Sequence, residues 1–151
     1  MGNGRHELLV DASIEDVWQF VSNLDSWAPL VPGYIEHEII NDKVSDWKFK
    51  IDIGLMKKKI YARVNITEWT KPSKVTFSLK GLNEKFTGSG SFEAERSSEF
   101  HTIVKGILDI STYSPMEKII TPILNKTVPD VTTELTINVA RELEKRYSCR
   151  R

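Results

Sequence analysis

From Tyr34 to Ser111 apolar residues recur at every second position, and no other feature of the chain restricts its fold as tightly. Successive side chains of an extended chain point to opposite faces, so a period of two means one apolar face to bury and one face left to water. Trp47, Phe49, Ile51 and Ile53 alternate with Lys48, Lys50 and Asp52. Ile60, Ala62, Val64 and Ile66 alternate with Tyr61, Arg63, Asn65 and Thr67. Val75, Phe77 and Leu79 form the next stripe, closed by Gly81. Phe86, Gly88, Gly90, Phe92 and Ala94 share one face of a further strand, and Phe100, Thr102, Val104, Gly106, Leu108 and Ile110 share one face of the last. Together with residues 34–40 this predicts six consecutive strands with short connections, for which a meander is the economical topology.

The flanks of this block read as helical. Residues 7–10 predict a short opening strand, and Ser13 is a helix N-cap with Glu15 and Asp16 in the first turn. Val17, Phe20, Val21 and Leu24 follow at helical spacing to about residue 23, and a second short helix ends by Val31-Pro32-Gly33. After the strands, Ser114-Pro115 restarts a helix. Ile120, Leu124, Val128, Val131, Leu135, Val139 and Leu143 mark a stripe that carries this helix to about Tyr147. Pro122 is tolerable in the first turns, whereas Pro129 predicts a kink or a split near residues 126–128. The expectation is one α+β domain over residues 1–151, in the order β-α-α-β6-α.

An apolar sheet face must be covered, and only the C-terminal helix is long enough to do it. A curved sheet lifts away from a straight helix at one end, and the gap predicts an apolar pocket. Its expected lining is Trp47, Phe49, Val64, Phe77, Phe92, Phe100, Thr102 and Leu108 from the strands, with Leu124 and Val128 from the helix. Pro32, Gly33 and Pro129 are the expected gate. Gly88, Gly90 and Gly106, on inward positions, allow sharp bending or close helix approach. A solid core built from the same aromatics would leave the same pattern, so periodicity leaves pocket and core open.

Charge narrows the partners. The 21 basic and 21 acidic residues cancel, which predicts no nucleic-acid partner, since phosphate binding draws on a basic excess. A single cysteine, Cys149, makes neither an internal disulfide nor a metal cluster, and predicts a reducing, cytoplasmic home. No apolar run resembles a signal peptide or approaches the ~20 residues of a membrane span.

Chemistry is sparse. His6, His37 and His101 lie far apart among charged neighbours, and each is expected to face solvent. No metal is expected and no cofactor. Gly88-Ser89-Gly90 does not lead from a strand into a helix, so it is read as sheet curvature, not a phosphate cradle. Arg63 is expected on the wet face of its strand, and Lys57-Lys58-Lys59 at a solvated hairpin tip. Acid–base catalysis needs a convergent pair of ionisable groups, and the sequence assembles none, so the reading leans toward binding without turnover.

Several landmarks resemble a known family. The capped helix carrying Val17-Trp18, the loop Leu30-Val31-Pro32-Gly33, the turn Ile53-Gly54-Leu55-Met56-Lys57 and the strand Gly88-Ser89-Gly90-Ser91-Phe92 span nearly the whole chain. Their order resembles the helix-grip fold of plant Bet v 1 proteins, START lipid-transfer domains and polyketide cyclases. Within that superfamily the chain most resembles the CoxG family associated with carbon monoxide dehydrogenase, although Val31 stands where members often carry Cys or a small residue. The resemblance implies a curved antiparallel sheet of about seven strands wrapped around the C-terminal helix. It also implies binding or transport of a small hydrophobic molecule: a lipid, quinone, polyketide or aromatic. Two rival roles follow from it: an accessory protein for a molybdenum hydroxylase such as carbon monoxide dehydrogenase, which would give the chain a protein partner, and a cyclase or dehydratase.

Overall fold

The computed structural model describes residues 2–53 and 56–147, without the side chains of residues 52, 53, 56, 117 and 120. Gly54 and Leu55 of the predicted turn, the Ile120 side chain of the predicted stripe, and residues 148–151 with Cys149 lie outside the described residues.

The chain runs β1 (Gly2–Val10), α1 (Ile14–Val21), α2 (Leu24–Trp27), a 3₁₀ turn (Ala28–Leu30), β2 (Tyr34–Ile39), β3 (Val44–Ile53), β4 (Met56–Thr70), β5 (Lys74–Gly81), β6 (Phe86–Ser98), β7 (His101–Thr112) and α3 (Glu117–Tyr147). All strands join one antiparallel sheet in the order β1-β7-β6-β5-β4-β3-β2. The predicted meander is therefore present, and β1 closes it by pairing with β7. The opening strand is longer than its apolar pattern suggests because Gly2 and Gly4 carry no side chain to register.

Which face is wet follows from the cross-strand rows. Glu36 pairs opposite Lys48, and Lys48 opposite Tyr61. The Lys48 ammonium lies 3.1 Å from the Glu36 carboxylate and 4.9 Å from the centre of the Tyr61 ring. One row along, Arg63 grips Asp46 with two hydrogen bonds of 2.8 and 3.0 Å. Arg63 thus faces solvent as expected. The opposite, concave face carries Trp47, Ile60, Ala62, Val64, Ile66 and Val75, all buried.

Two helical layers cover that face. Ser13 caps α1 by accepting from the Asp16 amide, and α1 buries Ile14, Val17, Phe20 and Val21. These join Val10, Val104, Val139, Ala140 and Leu143 in one cluster beneath the C-terminal half of α3. A second cluster, under α2 and the 3₁₀ turn, holds Leu24, Ala28, Trp47, Val64, Ile66 and Val75.

α3 departs from expectation in two ways. It begins at Glu117, with the Ser114 hydroxyl capping a turn onto the Met116 amide. It also runs unbroken for 31 residues, about 46 Å at 1.5 Å per residue, with Pro122 and Pro129 inside it. The split predicted at Pro129 does not occur. The hydrogen bond lost there is offset by the seat the helix takes on β1 and β7, where it packs along its length. A Cβ added at Gly4 would lie 2.5 Å from Thr132 Oγ1 and 2.9 Å from Pro129 Cα, so only glycine lets the backbones come this close. A Cβ at Gly2 would stand 2.5 Å from the Leu124 carbonyl oxygen. Thr132 and Thr136, buried against this glycine groove, donate their hydroxyls to the carbonyls of Val128 and Thr132, each at 2.7 Å. Beyond β1 and β7, α3 touches α1 and the 3₁₀ turn, and Asn138 donates to the Leu30 carbonyl at 3.1 Å. Among the described residues its closest backbone approach is to β1 and β7.

Candidate functional site

A helix seated at one side of the sheet leaves the other part of the concave face partly bare. Phe49 of β3, Phe77 and Leu79 of β5, Phe86 of β6, and Leu108 and Ile110 of β7 all point inward yet stay only half-buried. Gly88 and Gly90 shape this floor. Phe77 lies opposite Gly90 and Leu79 opposite Gly88. A Cβ at Gly90 would meet the Phe77 ring at 2.5 Å, and one at Gly88 would meet the tips of Ile110 and Leu79 at 2.7 and 3.0 Å. The β7 carbonyls of Asp109 and Ile107 crowd the same two positions at 2.5 and 2.7 Å, so here glycine makes room for apolar side chains and for the neighbouring strand, whereas Gly106, covered by Thr136, makes room for the helix.

The predicted lining divides accordingly. Phe49, Phe77 and Leu108 sit on the half-buried floor, and Leu124 is half-buried on the first half of α3. Trp47 and Val64 lie behind it in the second cluster, 5% and 8% exposed, and the Trp47 indole donates to Ser45 Oγ at 2.7 Å. Val128 is buried under the helix, and Thr102 is fully buried with its hydroxyl donating to the Ala12 carbonyl at 2.8 Å. Phe92 packs against the cluster beneath α3. Phe100 belongs to the tip between β6 and β7, 51% exposed, because the register shifts between Arg96 and Ser98 and the strand alternation stops before it.

At the edge of the floor a shallow cleft of about 410 Å³ opens between Gly33, Tyr34, Ile35, Lys50, Ile51 and Lys57. Gly33 adopts φ +79°, a region that favours glycine, and its own carbonyl accepts from the Lys50 amide at 2.8 Å. The turn delivers Tyr34 directly opposite Phe49. Of the predicted gate, Gly33 lines this cleft, Pro32 adjoins it in the loop before Tyr34, and Pro129 lies across the molecule against Gly4.

Beside the cleft lies a polar chain that the sequence did not reveal. Tyr34 Oη is 2.7 Å from His37 Nδ1, and His37 Nε2 is 2.7 Å from Asp25 Oδ1. His37 does not face solvent as its neighbours in sequence predict; its side chain is 9% exposed, with its ring centre 5.7 Å from that of Trp47. The cause is a β-bulge. The register with β3 shifts between Tyr34 and Glu36, so Tyr34 and His37, three residues apart, share the inward face. Asp25 reaches the imidazole from α2, where Asn23 caps the helix by accepting from the Asp25 amide at 3.1 Å. Asp25 itself is 66% exposed. His101 stays near solvent, 40% exposed and bonded to Ser98 Oγ at 2.9 Å, and His6 is half-buried. Among the described residues no group of histidine, cysteine and carboxylate side chains is arranged to hold a metal ion. Likewise, no described helix is long and apolar enough to cross a membrane.

A seven-stranded antiparallel sheet curved about a C-terminal helix defines the START/Bet v 1 helix-grip class. A family model described only as "-like:-like" matches residues 1–146, and the chain belongs to that family. No curated protein matches the chain significantly. Among solved structures it is similar to a conserved protein from Geobacillus kaustophilus, at 15% identity and a TM-score of 0.80, covering 96% of this chain and 97% of that one. It is also similar to a START superfamily protein from Mycobacterium smegmatis (14% identity, TM-score 0.71, 97% and 99% covered). A third is the Zhui aromatase/cyclase from Streptomyces sp. R1128 (16% identity, TM-score 0.63, 95% and 94% covered). At these identities the likeness is one of fold.

Proposed function

We propose that the protein binds a small, largely apolar molecule, such as a lipid, quinone, polyketide or aromatic, on the part of the concave sheet face that α3 leaves uncovered. One observation carries this reading: Phe49, Phe77, Leu79, Leu108 and Ile110 point inward yet remain half-buried, while α3 is seated on the glycines of β1 and β7. Apolar area left accessible inside a fold is the usual basis of ligand affinity, at roughly 25 cal/mol per Å² removed from water. The START and aromatase/cyclase neighbours lend support by analogy of fold.

The test is titration with anilinonaphthalene sulfonate, following tryptophan fluorescence and melting temperature. Trp27 and Trp47, with ring centres 5.5 Å apart, adjoin the floor and report occupancy. Binding is expected to raise the melting temperature. Leu79→Asn, at a half-buried position, is expected to weaken binding about tenfold, since losing one buried leucine contact costs about 1.5 kcal/mol or more. No change in fluorescence or melting across apolar probes would remove the reading.

A second reading has its own support. Tyr113, Met116 and Ile119 leave 55%, 52% and 61% of their surface exposed around the connection into α3. An accessory protein of the CoxG kind would need such an apolar surface to meet a molybdenum hydroxylase. Co-purification that is lost in Met116→Ser, Ile119→Ser protein would favour it.

A further inference from the structure

Antiparallel order gathers three connections at one end of the sheet: β3 to β4, β5 to β6, and β7 to α3. Hydrogen bonds tie their described parts together. The Leu82 amide donates to the Tyr61 carbonyl at 2.7 Å, and the Asn83 side chain bridges the Tyr61 amide and the Lys59 carbonyl, each at 2.9 Å. The Tyr113 amide and the Thr112 hydroxyl both donate to the Lys85 carbonyl, at 3.1 and 2.9 Å. The Ser114 hydroxyl then holds the Met116 amide, and the Met116 carbonyl accepts from Ile119 at 2.9 Å. Leu82, 50% exposed, thus joins Tyr113, Met116 and Ile119 as a fourth exposed apolar side chain at this end. Apolar residues scattered singly over a surface are ordinary, whereas several on connections bonded to one another mark an interaction surface.

The charge around them is one-sided. Lys57, Lys59, Lys85 and Lys118 are exposed, and Lys58 lies 2.8 Å from the Glu84 carboxylate. Over residues 52–59, 82–85 and 112–119, five lysines stand against three carboxylates, Asp52, Glu84 and Glu117, in a chain whose total charge is zero. The strand connections at the opposite end, residues 40–43, 71–73 and 99–100, carry Asp42, Lys43, Lys71 and Glu99, which cancel. Apolar tips ringed by ammonium groups match a bilayer with anionic headgroups: the tips enter the acyl boundary while the lysines meet phosphates. Phe86, part of the half-buried floor, pairs with Thr112 at this same end. A lipid-soluble ligand leaving the bilayer here would therefore meet the floor directly.

We propose that this end of the sheet docks the protein reversibly on an anionic lipid bilayer. The docking goes beyond the apolar-ligand reading and does not rest on it, since a surface contact needs no bound ligand.

The test is sedimentation of the full chain with vesicles of phosphatidylcholine alone and of phosphatidylcholine mixed equally with phosphatidylglycerol. Wild type is expected to bind the mixed vesicles at least about tenfold more tightly, and to be released by high salt. Lys85→Ser with Lys118→Ser is expected to weaken this binding by about twentyfold, since each lysine near the surface contributes about fivefold. Leu82→Ser with Met116→Ser is expected to cost about tenfold or more. Lys43→Ser with Lys71→Ser, at the opposite end, is expected to leave it unchanged. All these positions are exposed, and melting curves verify that each variant folds. No vesicle binding by wild type, equal binding to both vesicle types, or an equal loss in the opposite-end variant overturns the proposal. Absent vesicle binding together with co-purification that Met116→Ser, Ile119→Ser protein loses would assign the surface to a protein partner instead. Binding of anilinonaphthalene sulfonate, measured without vesicles, is expected to persist in the Lys85→Ser, Lys118→Ser protein, so failure of the docking and failure of the apolar floor are read separately.

Discussion

Replacing Gly106 by alanine tests where α3 sits, because the new Cβ would overlap Thr136 Oγ1 while the Thr136 Cβ stays 3.6 Å away and Thr132 Cγ2 3.9 Å away. The only severe conflict is with one hydroxyl, and that hydroxyl is held in place by its bond to the Thr132 carbonyl. Forcing an extra methyl into such a seat costs about 1–3 kcal/mol. For a chain of 151 residues a loss of 1 kcal/mol lowers the melting temperature by roughly 2–4 °C. Gly106→Ala alone should therefore melt several degrees lower, and Thr136→Ala in the same chain should restore most of the loss. The same pairing at the neighbouring seat should fail. A Cβ at Gly4 would stand 2.8 Å from Thr132 Cβ and 2.9 Å from Pro129 Cα, atoms that Thr132→Ala does not remove. Both double-mutant cycles are measured by urea denaturation with melting curves as a check. A neutral Gly106→Ala, or rescue at Gly4 equal to that at Gly106, would refute the reasoning that the helix rests on these glycines.

Acid should release part of the sheet's stability. Arg63 donates to Asp46 and holds its carboxyl below the usual aspartate range. A carboxyl with a depressed folded value adds stability that is complete above its unfolded value and lost as pH falls through the folded one. The advantage of wild type over Asp46→Asn is thus expected in full at neutral pH, and should begin to fall near about pH 4 and be lost progressively in stronger acid, as read from denaturation midpoints across pH. Leu143→Ala, at a fully buried position beneath α3, is expected to cost about 2–5 kcal/mol in the same assay. Phe100→Ser, at the exposed hairpin tip, should change stability by less than about 0.5 kcal/mol and leave probe binding intact. A large loss on Phe100→Ser would mean that this ring packs in the interior.

The strands were legible where alternation is unbroken and one face is apolar: the 60–66 and 75–79 stripes land on the concave face residue for residue. Departures from that periodicity hid the rest. Residues i and i+3 of a regular strand face opposite ways, so Tyr34 and His37 could not be paired without the bulge between them, and Asp25 arrives from a separate helix. Phe100 misled for the same reason at the other end, where the register slips before β7. Pro129 obeyed a local rule that the tertiary seat overrode, since Gly2 and Gly4 bring β1 against the helix backbone there. The glycines themselves were visible, but their two functions were not. Gly106 receives the helix and Gly90 receives the Phe77 ring, a distinction that depends on which neighbour occupies the space.

The most direct measurement is of contacts between an unlabelled naphthalene probe and the methyl groups of protein carrying labelled isoleucine, leucine and valine. Intermolecular nuclear Overhauser effects to Leu79, Leu108 and Ile110, with none to the exposed Leu9 and Leu82, are predicted. Contacts confined to the exposed methyls, or no bound probe at all, would contradict an accessible apolar floor beside α3.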